Sequence, residues 1–175
     1  MGRVNAALAA DVQTGPDNAM YLTCSMSALA QNGNDGEASF TRRPLVLTHN
    51  WLVVEDNEEN YCGGAHPNTE VSYATWDLKT GLRVNLYDWF TPTFRKLIDA
   101  AFPASDADCR DAERVEDDWM VRLTTTGVAF TPVFSHVDMA CTDDAAIPFA
   151  RLAPYLNASG KASTAAFRRD MGAEK

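Results

Sequence analysis

The chain contains no Cys-x-x-Cys pair, no Gly-x-Ser-x-Gly elbow and no glycine-rich loop followed by Lys-Ser or Lys-Thr. The first absence removes the ligand spacing of zinc and dithiol redox sites. The second removes the strained turn that exposes a nucleophilic serine, and the third the backbone cradle for a nucleotide phosphate. Histidine is scarce: His49, His66 and His136 are all there are. None pairs with another at i, i+4, so together with Asp138 they could meet around a metal only through the fold, and neither a metal nor a cofactor is expected. Glu55-Asp-Asn-Glu-Glu-Asn60 lacks the glycine at position six and the glutamate at position twelve of a calcium loop, and reads as a solvated hairpin tip. Basic residues are outnumbered, 15 against 24 acidic, giving a net charge of -9 and a pI near 4.7. That balance opposes binding to nucleic acid or to anionic membranes. With so many carboxylates a chance pair of them in a cleft is nearly guaranteed, so glycosidase chemistry gains nothing from the composition. No apolar run approaches the ~20 residues of a membrane span.

What the chain does have is a core. Hydrophobic residues make up 46% of it, with eight Phe, five Tyr and four Trp, and 175 residues suit one domain. The expected organisation is a single domain over 1–156 followed by a flexible tail over 157–175, where Ala, Ser, Lys and Arg follow without an apolar period. The cysteines Cys24, Cys62, Cys109 and Cys141 are scattered and even in number, which fits disulfides better than four buried thiols. Three connectivities are possible. Cys24–Cys62 and Cys109–Cys141 are the pairs expected, since each ties neighbouring parts of the chain. Met1-Gly-Arg is not followed by the basic and apolar segments of a signal peptide, so export would call for residues upstream of Met1. Ala6 stands where myristoylation of Gly2 would want Ser or Thr.

Along the chain, Arg3–Val12 suits a short helix that ends before the Gly15-Pro16 turn. Tyr21–Leu29 alternates loosely and is read as a strand carrying Cys24, and 31–36 as an exposed loop. Phe40–Val54 is rich in β-formers and is read as strand. Tyr73–Trp76 and Leu82–Leu86 form a hairpin around Asp77-Leu-Lys-Thr-Gly81, with Gly81 in the left-handed position and Leu82, Val84 and Leu86 on one face. Thr91 caps a helix over about 91–102, with Pro92 first and Phe94, Leu97, Ile98, Ala101 and Phe102 as its buried stripe. Ala104–Asp118 is acidic and short of large apolar residues, and reads as loop or a marginal helix held by Cys109. Met120–Leu123 and Val128–Val133 flank Thr124–Gly127 as a second hairpin. Ile147 opens a short strand, and Phe149, Leu152, Tyr155 and Leu156 mark a short C-terminal helix. The class is α+β, with a largely antiparallel sheet built from hairpins and helices packed on it.

The least generic stretch is Tyr61-Cys62-Gly63-Gly64-Ala65-His66-Pro67-Asn68. Adjacent glycines permit positive φ, while Pro67 fixes its own φ and holds His66 extended, so this connection between two strands is specified in shape. Connections of this kind carry binding residues, and Tyr61, Gly63, Gly64, His66, Pro67 and Asn68 are the candidate binding site. Tyr61, an apolar ring with a polar tip, is of a type enriched at recognition surfaces. The His66 ring is expected to hydrogen-bond across the two glycines as a brace. Partner contact and catalysis are its other possible roles, and no residue is assigned as catalytic.

Cys62-Gly-Gly-Ala-His-Pro-Asn68, Asp77-Leu-Lys-Thr-Gly81, Leu86-Tyr-Asp-Trp-Phe90 and Ile147-Pro-Phe-Ala-Arg-Leu-Ala-Pro-Tyr-Leu156 follow one another in the order and spacing of a bacterial extracytoplasmic domain of unknown function. Over roughly Tyr21–Leu156 the chain resembles the C-terminal half of the lysozyme-sensing anti-sigma factor RsiV and the accessory region of the peptidoglycan deacetylase PdaC. The resemblance implies an α+β fold and a periplasmic or extracellular setting. It supplies no established activity for the domain itself; the function expected is an exported, non-enzymatic recognition domain of the bacterial cell envelope, with lysozyme, another basic muramidase or a peptidoglycan fragment as its partner. A cell-wall polysaccharide enzyme, or the accessory domain of one, is the rival class.

Overall fold

The computed structural model describes residues 4–6, 8, 16–33, 36–101, 119–132 and 144–172. Helix α1 (Pro16–Asn32) precedes strands β1 (Glu37–Leu47), β2 (Trp51–Tyr61), β3 (Asn68–Asp77) and β4 (Leu82–Val84), which pair in that order as one antiparallel sheet. A 3-10 turn over Leu86–Trp89, another over Pro92–Phe94 and helix α2 (Arg95–Asp99) follow. Strands β5 (Trp119–Leu123), β6 (Gly127–Pro132) and β7 (Ala145–Pro148) form a second antiparallel sheet. Helix α3 (Phe149–Leu152), a 3-10 turn over Ala153–Tyr155 and helix α4 (Ala158–Asp170) close the described chain. The α+β class and its hairpins stand as the alternation of apolar residues implies.

The main core lies where one face of the first sheet meets the apolar face of the second. Val46, Trp51 and Val53 pack there with Leu123, Phe130 and Ile147. The Tyr87 hydroxyl accepts the Trp119 N–H at 3.1 Å and donates to the Trp119 carbonyl at 2.5 Å, filling for one residue the place of a neighbouring strand beside β5. Arg122 joins the sheets from the other side. Its guanidinium lies over the Tyr73 ring, 4.5 Å from the centroid, pairs with Asp144, and donates to the Thr131 hydroxyl at 2.9 Å. A cation held between an aromatic face and a carboxylate couples β3 to β5 and β6.

Four sequence expectations need correction. Tyr21–Leu29 is helical, inside α1. Its apparent alternation misled because the buried positions, Cys24 and Ala28, are four apart and small, while Leu22, Met26 and Leu29 point outward. Glu55–Asn60 is the second half of β2, paired with Ala38–Arg43, and the turn falls earlier, at Thr48–Asn50. Arg42 and Arg43 stand opposite Asp56 and Glu55 and offset the charge that made the run look like a loop. Phe40–Val54 is accordingly two strands and a turn, with the Thr48 hydroxyl accepting the Trp51 N–H at 2.9 Å.

The third correction concerns the expected helix over 91–102, which is a 3-10 turn and then α2. Thr91 makes no cap bond, because its hydroxyl donates to the Tyr155 carbonyl at 3.1 Å. Leu97 and Ile98 are buried as the stripe requires, and Phe102 falls outside the described residues. In the preceding hairpin Gly81 has φ +73°, but Leu82 is 66% exposed and Leu86 belongs to a 3-10 turn.

The fourth is the tail. Residues 158–170 form α4, capped by the Asn157 side chain, which accepts the Gly160 N–H at 2.9 Å. Phe167 is fully buried, with ring centroids 6.0 Å from Trp51 and 5.8 Å from Phe149. Gly160, Thr164 and Phe167 make the inward stripe at i, i+4, i+7, and a Cβ at Gly160 would lie 2.2 Å from the Trp89 carbonyl oxygen. Two of the three are small or polar, so hydropathy alone did not reveal the face.

Candidate functional site

The connection over 62–67 leaves β2 at Tyr61 and enters β3 at Asn68, between two strands as its sequence implies. It is fastened to α1 twice. Cys62 is disulfide-bonded to Cys24. Gly63, at φ +80°, approaches α1 so closely that a Cβ would sit 2.9 Å from the Ala28 Cα. Neither contact tolerates another residue without displacement of the loop. Beyond Gly63 the chain turns outward, leaving Gly64, Ala65, His66 and Pro67 exposed, with Tyr61 and Asn68 half-buried at its base.

The hydrogen bond seen across the glycines is made by Tyr61. The Tyr61 hydroxyl donates to the Gly64 carbonyl at 3.1 Å, while the exposed His66 ring meets the carbonyl of the adjacent Pro67, Nδ1 to O 3.2 Å. The phenol spans the turn and the imidazole faces solvent. Beside the loop, α1 presents Leu22, Met26 and Leu29, at 62%, 72% and 48% exposure, spaced i, i+4, i+7 along its outer face.

Among the described residues no group of three or more His, Cys, Asp or Glu side chains is placed to hold a metal ion. His49 lies near the carboxylate of Asp170, far along the sheet from His66. His136, Asp138 and the expected Cys109–Cys141 pair fall outside the described residues. No helix among the described residues is long and apolar enough to cross a membrane.

Sequence reasoning missed a concave feature, a cleft of about 530 Å³ between β3–β4 and β5. Tyr73, Thr75, Arg83, Tyr87, Trp119 and Met120 are among the residues that line it. Burial raises the Tyr73 phenol above its ordinary pKa. Burial is the largest single influence and works against the charge on Arg122 and Asp144, but their hydrogen bonding and Coulombic attraction, with the Thr131 bond to Asp144, together outweigh it, so Arg122 is raised and Asp144 is held below the usual carboxylate range. The aromatic density around Tyr73 and Tyr87 was visible in sequence. That β5 would form the opposite wall was not.

No family model matches the sequence, and a comparison with curated proteins finds no match. Solved structures do match. A DUF3298 family protein from Pseudomonas aeruginosa PAO1 aligns with a TM-score of 0.58 at 17% identity, over 70% of this chain and 63% of that one. A DUF3298 member from Bacteroides fragilis NCTC 9343 aligns with a TM-score of 0.61 at 16% identity, over 97% of this chain and 71% of that one. The chain shares its fold with DUF3298 proteins. It spans less than two thirds of the Pseudomonas protein's length.

Proposed function

We propose that this chain is an exported, non-enzymatic recognition domain of a bacterial cell envelope, and that it binds a basic protein, a lysozyme or another muramidase. The observation that carries the reading is the fastened loop. Exposed Ala65, His66 and Pro67 are held by Cys24–Cys62 and by Gly63 against a helix whose outer face carries Leu22, Met26 and Leu29. A contiguous exposed apolar stripe beside a rigid loop is the form of an interaction surface. Rigidity keeps the ordering cost of association low.

Charge and redox chemistry support the partner and the setting. A net charge of -9 steers a cationic protein toward this surface and repels an anionic one. A disulfide linking helix to loop suits an oxidising compartment. The Gly-Gly-Ala-His-Pro-Asn run, with Asp-Leu-Lys-Thr-Gly after it, supports a relationship to the lysozyme-sensing part of RsiV and the accessory part of PdaC. The anti-sigma role of RsiV is no part of the proposal. A pull-down from envelope extract, with hen-type lysozyme supplied as one bait, tests the reading alongside incubation with peptidoglycan and acetylated chitooligosaccharide. Capture of a muramidase without turnover is the expected result; turnover of either substrate contradicts it.

A further inference from the structure

We propose that the cleft between β3–β4 and β5 is a binding site for a small organic carboxylate with an apolar body, separate from the loop surface. Along β3, Asn68 at the loop and Thr75 in the cleft are seven residues apart, about 23 Å at the rise of a strand. The volume of about 530 Å³ is in the range of small-ligand sites. Its apolar wall is supplied by Val84, Leu86, Met120 and Val121, and the Tyr87 ring is fixed there because its hydroxyl is already committed to both backbone polar groups of Trp119.

Among the polar residues of the lining, which also include Ser72, Tyr73 and Asn85, Thr75 and Arg83 are the two proposed to specify the ligand. Thr75 lines the cleft and is only 3% exposed. A hydroxyl removed from bulk water in this way is a site where an incoming polar atom gains a bond. Arg83, on β4, donates from Nη2 to the Tyr73 carbonyl at 3.3 Å, which anchors one end of the guanidinium at the cleft. A guanidinium has five N–H donors, so others remain for a carboxylate. Arg83 is the one charged residue lining the cleft among the described residues, in a chain where acidic residues outnumber basic ones 24 to 15. Among the described residues no carboxylate lines the cleft, a local exception to the sign of the protein.

The test is a titration of the isotopically labelled full chain with octanoate and, separately, with octanamide, followed by backbone amide and methionine methyl NMR signals. Octanoate is expected to move the signals of Thr75, Arg83, Met120 and Val121 saturably, and the neutral amide to bind at least about tenfold more weakly. Arg83→Gln should cost octanoate about tenfold or more with the unfolding midpoint unchanged, since Arg83 is exposed. Thr75→Val, which keeps the shape, should weaken octanoate by a smaller factor. The proposal is overturned by no saturable shift up to about 10 mM, by shifts centred elsewhere, by equal binding of acid and amide, or by an Arg83→Gln variant that binds as the parent does.

Discussion

Asp170, in the last turn of α4, accepts the backbone N–H of Asn50 at 2.9 Å and, through both carboxylate oxygens, the Asn50 side-chain amide at 2.8 Å. The Thr48 hydroxyl joins the same carboxylate at 3.1 Å. The end of α4 is thereby tied to the turn between β1 and β2, more than a hundred residues earlier. Burial alone would raise the Asp170 pKa, but these hydrogen bonds favour its charged form and hold it below the ordinary carboxylate value.

Asp170→Ala should therefore lower stability by about 1 kcal/mol, the modest figure reflecting a carboxylate still open to solvent. Because the folded-state pKa is depressed, the contribution is present above the unfolded value near 3.9 and is lost as pH falls through the lower folded value. Urea unfolding at neutral pH and in the acid range checks the sign: parent and variant should differ at pH 7 and converge as pH falls through the depressed folded-state value.

Arg122→Met should destabilise by about 2 kcal/mol, after allowing for the partial exposure of Asp144. Removing the cation strips Asp144 of its ion pair and Tyr73 of the charge over its ring. The double variant Arg122→Met with Asp144→Leu should recover part of the loss, since an apolar pair leaves no unmatched charge. Denaturant midpoints of the two variants decide this, and a double variant less stable than the single one counts against it.

Gly63→Ala tests the seat of the loop. Gly33 and Gly63 both have positive φ, +68° and +80°, but a Cβ at Gly33 meets nothing within 4 Å whereas one at Gly63 meets the Ala28 backbone. The Gly33 variant should cost about 1 kcal/mol for its backbone alone. Gly63→Ala should cost more, about 2–3 kcal/mol, because α1 must also move. Equal losses in thermal unfolding would remove the close approach from the account.

Cys24 and Cys62 are 38 residues apart in sequence, so the chain-entropy treatment gives their bridge about 4 kcal/mol of stabilisation. The variant Cys24→Ala with Cys62→Ala should unfold at correspondingly lower denaturant. Alkylation of the native protein followed by intact-mass measurement should find no free thiol, which extends the proposal to the Cys109–Cys141 pair. Four labelled cysteines before reduction would contradict both.

Local chemistry made the hairpins legible. Asp77-Leu-Lys-Thr-Gly81 and Thr124–Gly127 carry their turn residues within a few positions, between runs of β-forming residues. The failures share a physical cause: burial was supplied by residues that do not look buried. Cys24 and Ala28 face the sheet while the larger side chains of α1 do not, and Gly160 and Thr164 complete a face with a lone Phe167. Charge complementarity across β1 and β2 was equally invisible, since it depends on register and not on local propensity. At the loop, the glycines and proline foretold a fixed connection, but only the fold shows that Tyr61 spans it and His66 points to solvent.

Binding of hen-type lysozyme to the intact chain, measured by calorimetric titration for the parent and for His66→Ala and Met26→Ala, tests the central claim most directly. Both side chains are exposed, so neither change should move the unfolding midpoint by much. The account predicts saturable binding by the parent, weakened by added salt, and a loss of about 1–2 kcal/mol of binding free energy in each variant. Lysozyme that binds all three proteins alike, or none of them, would contradict it.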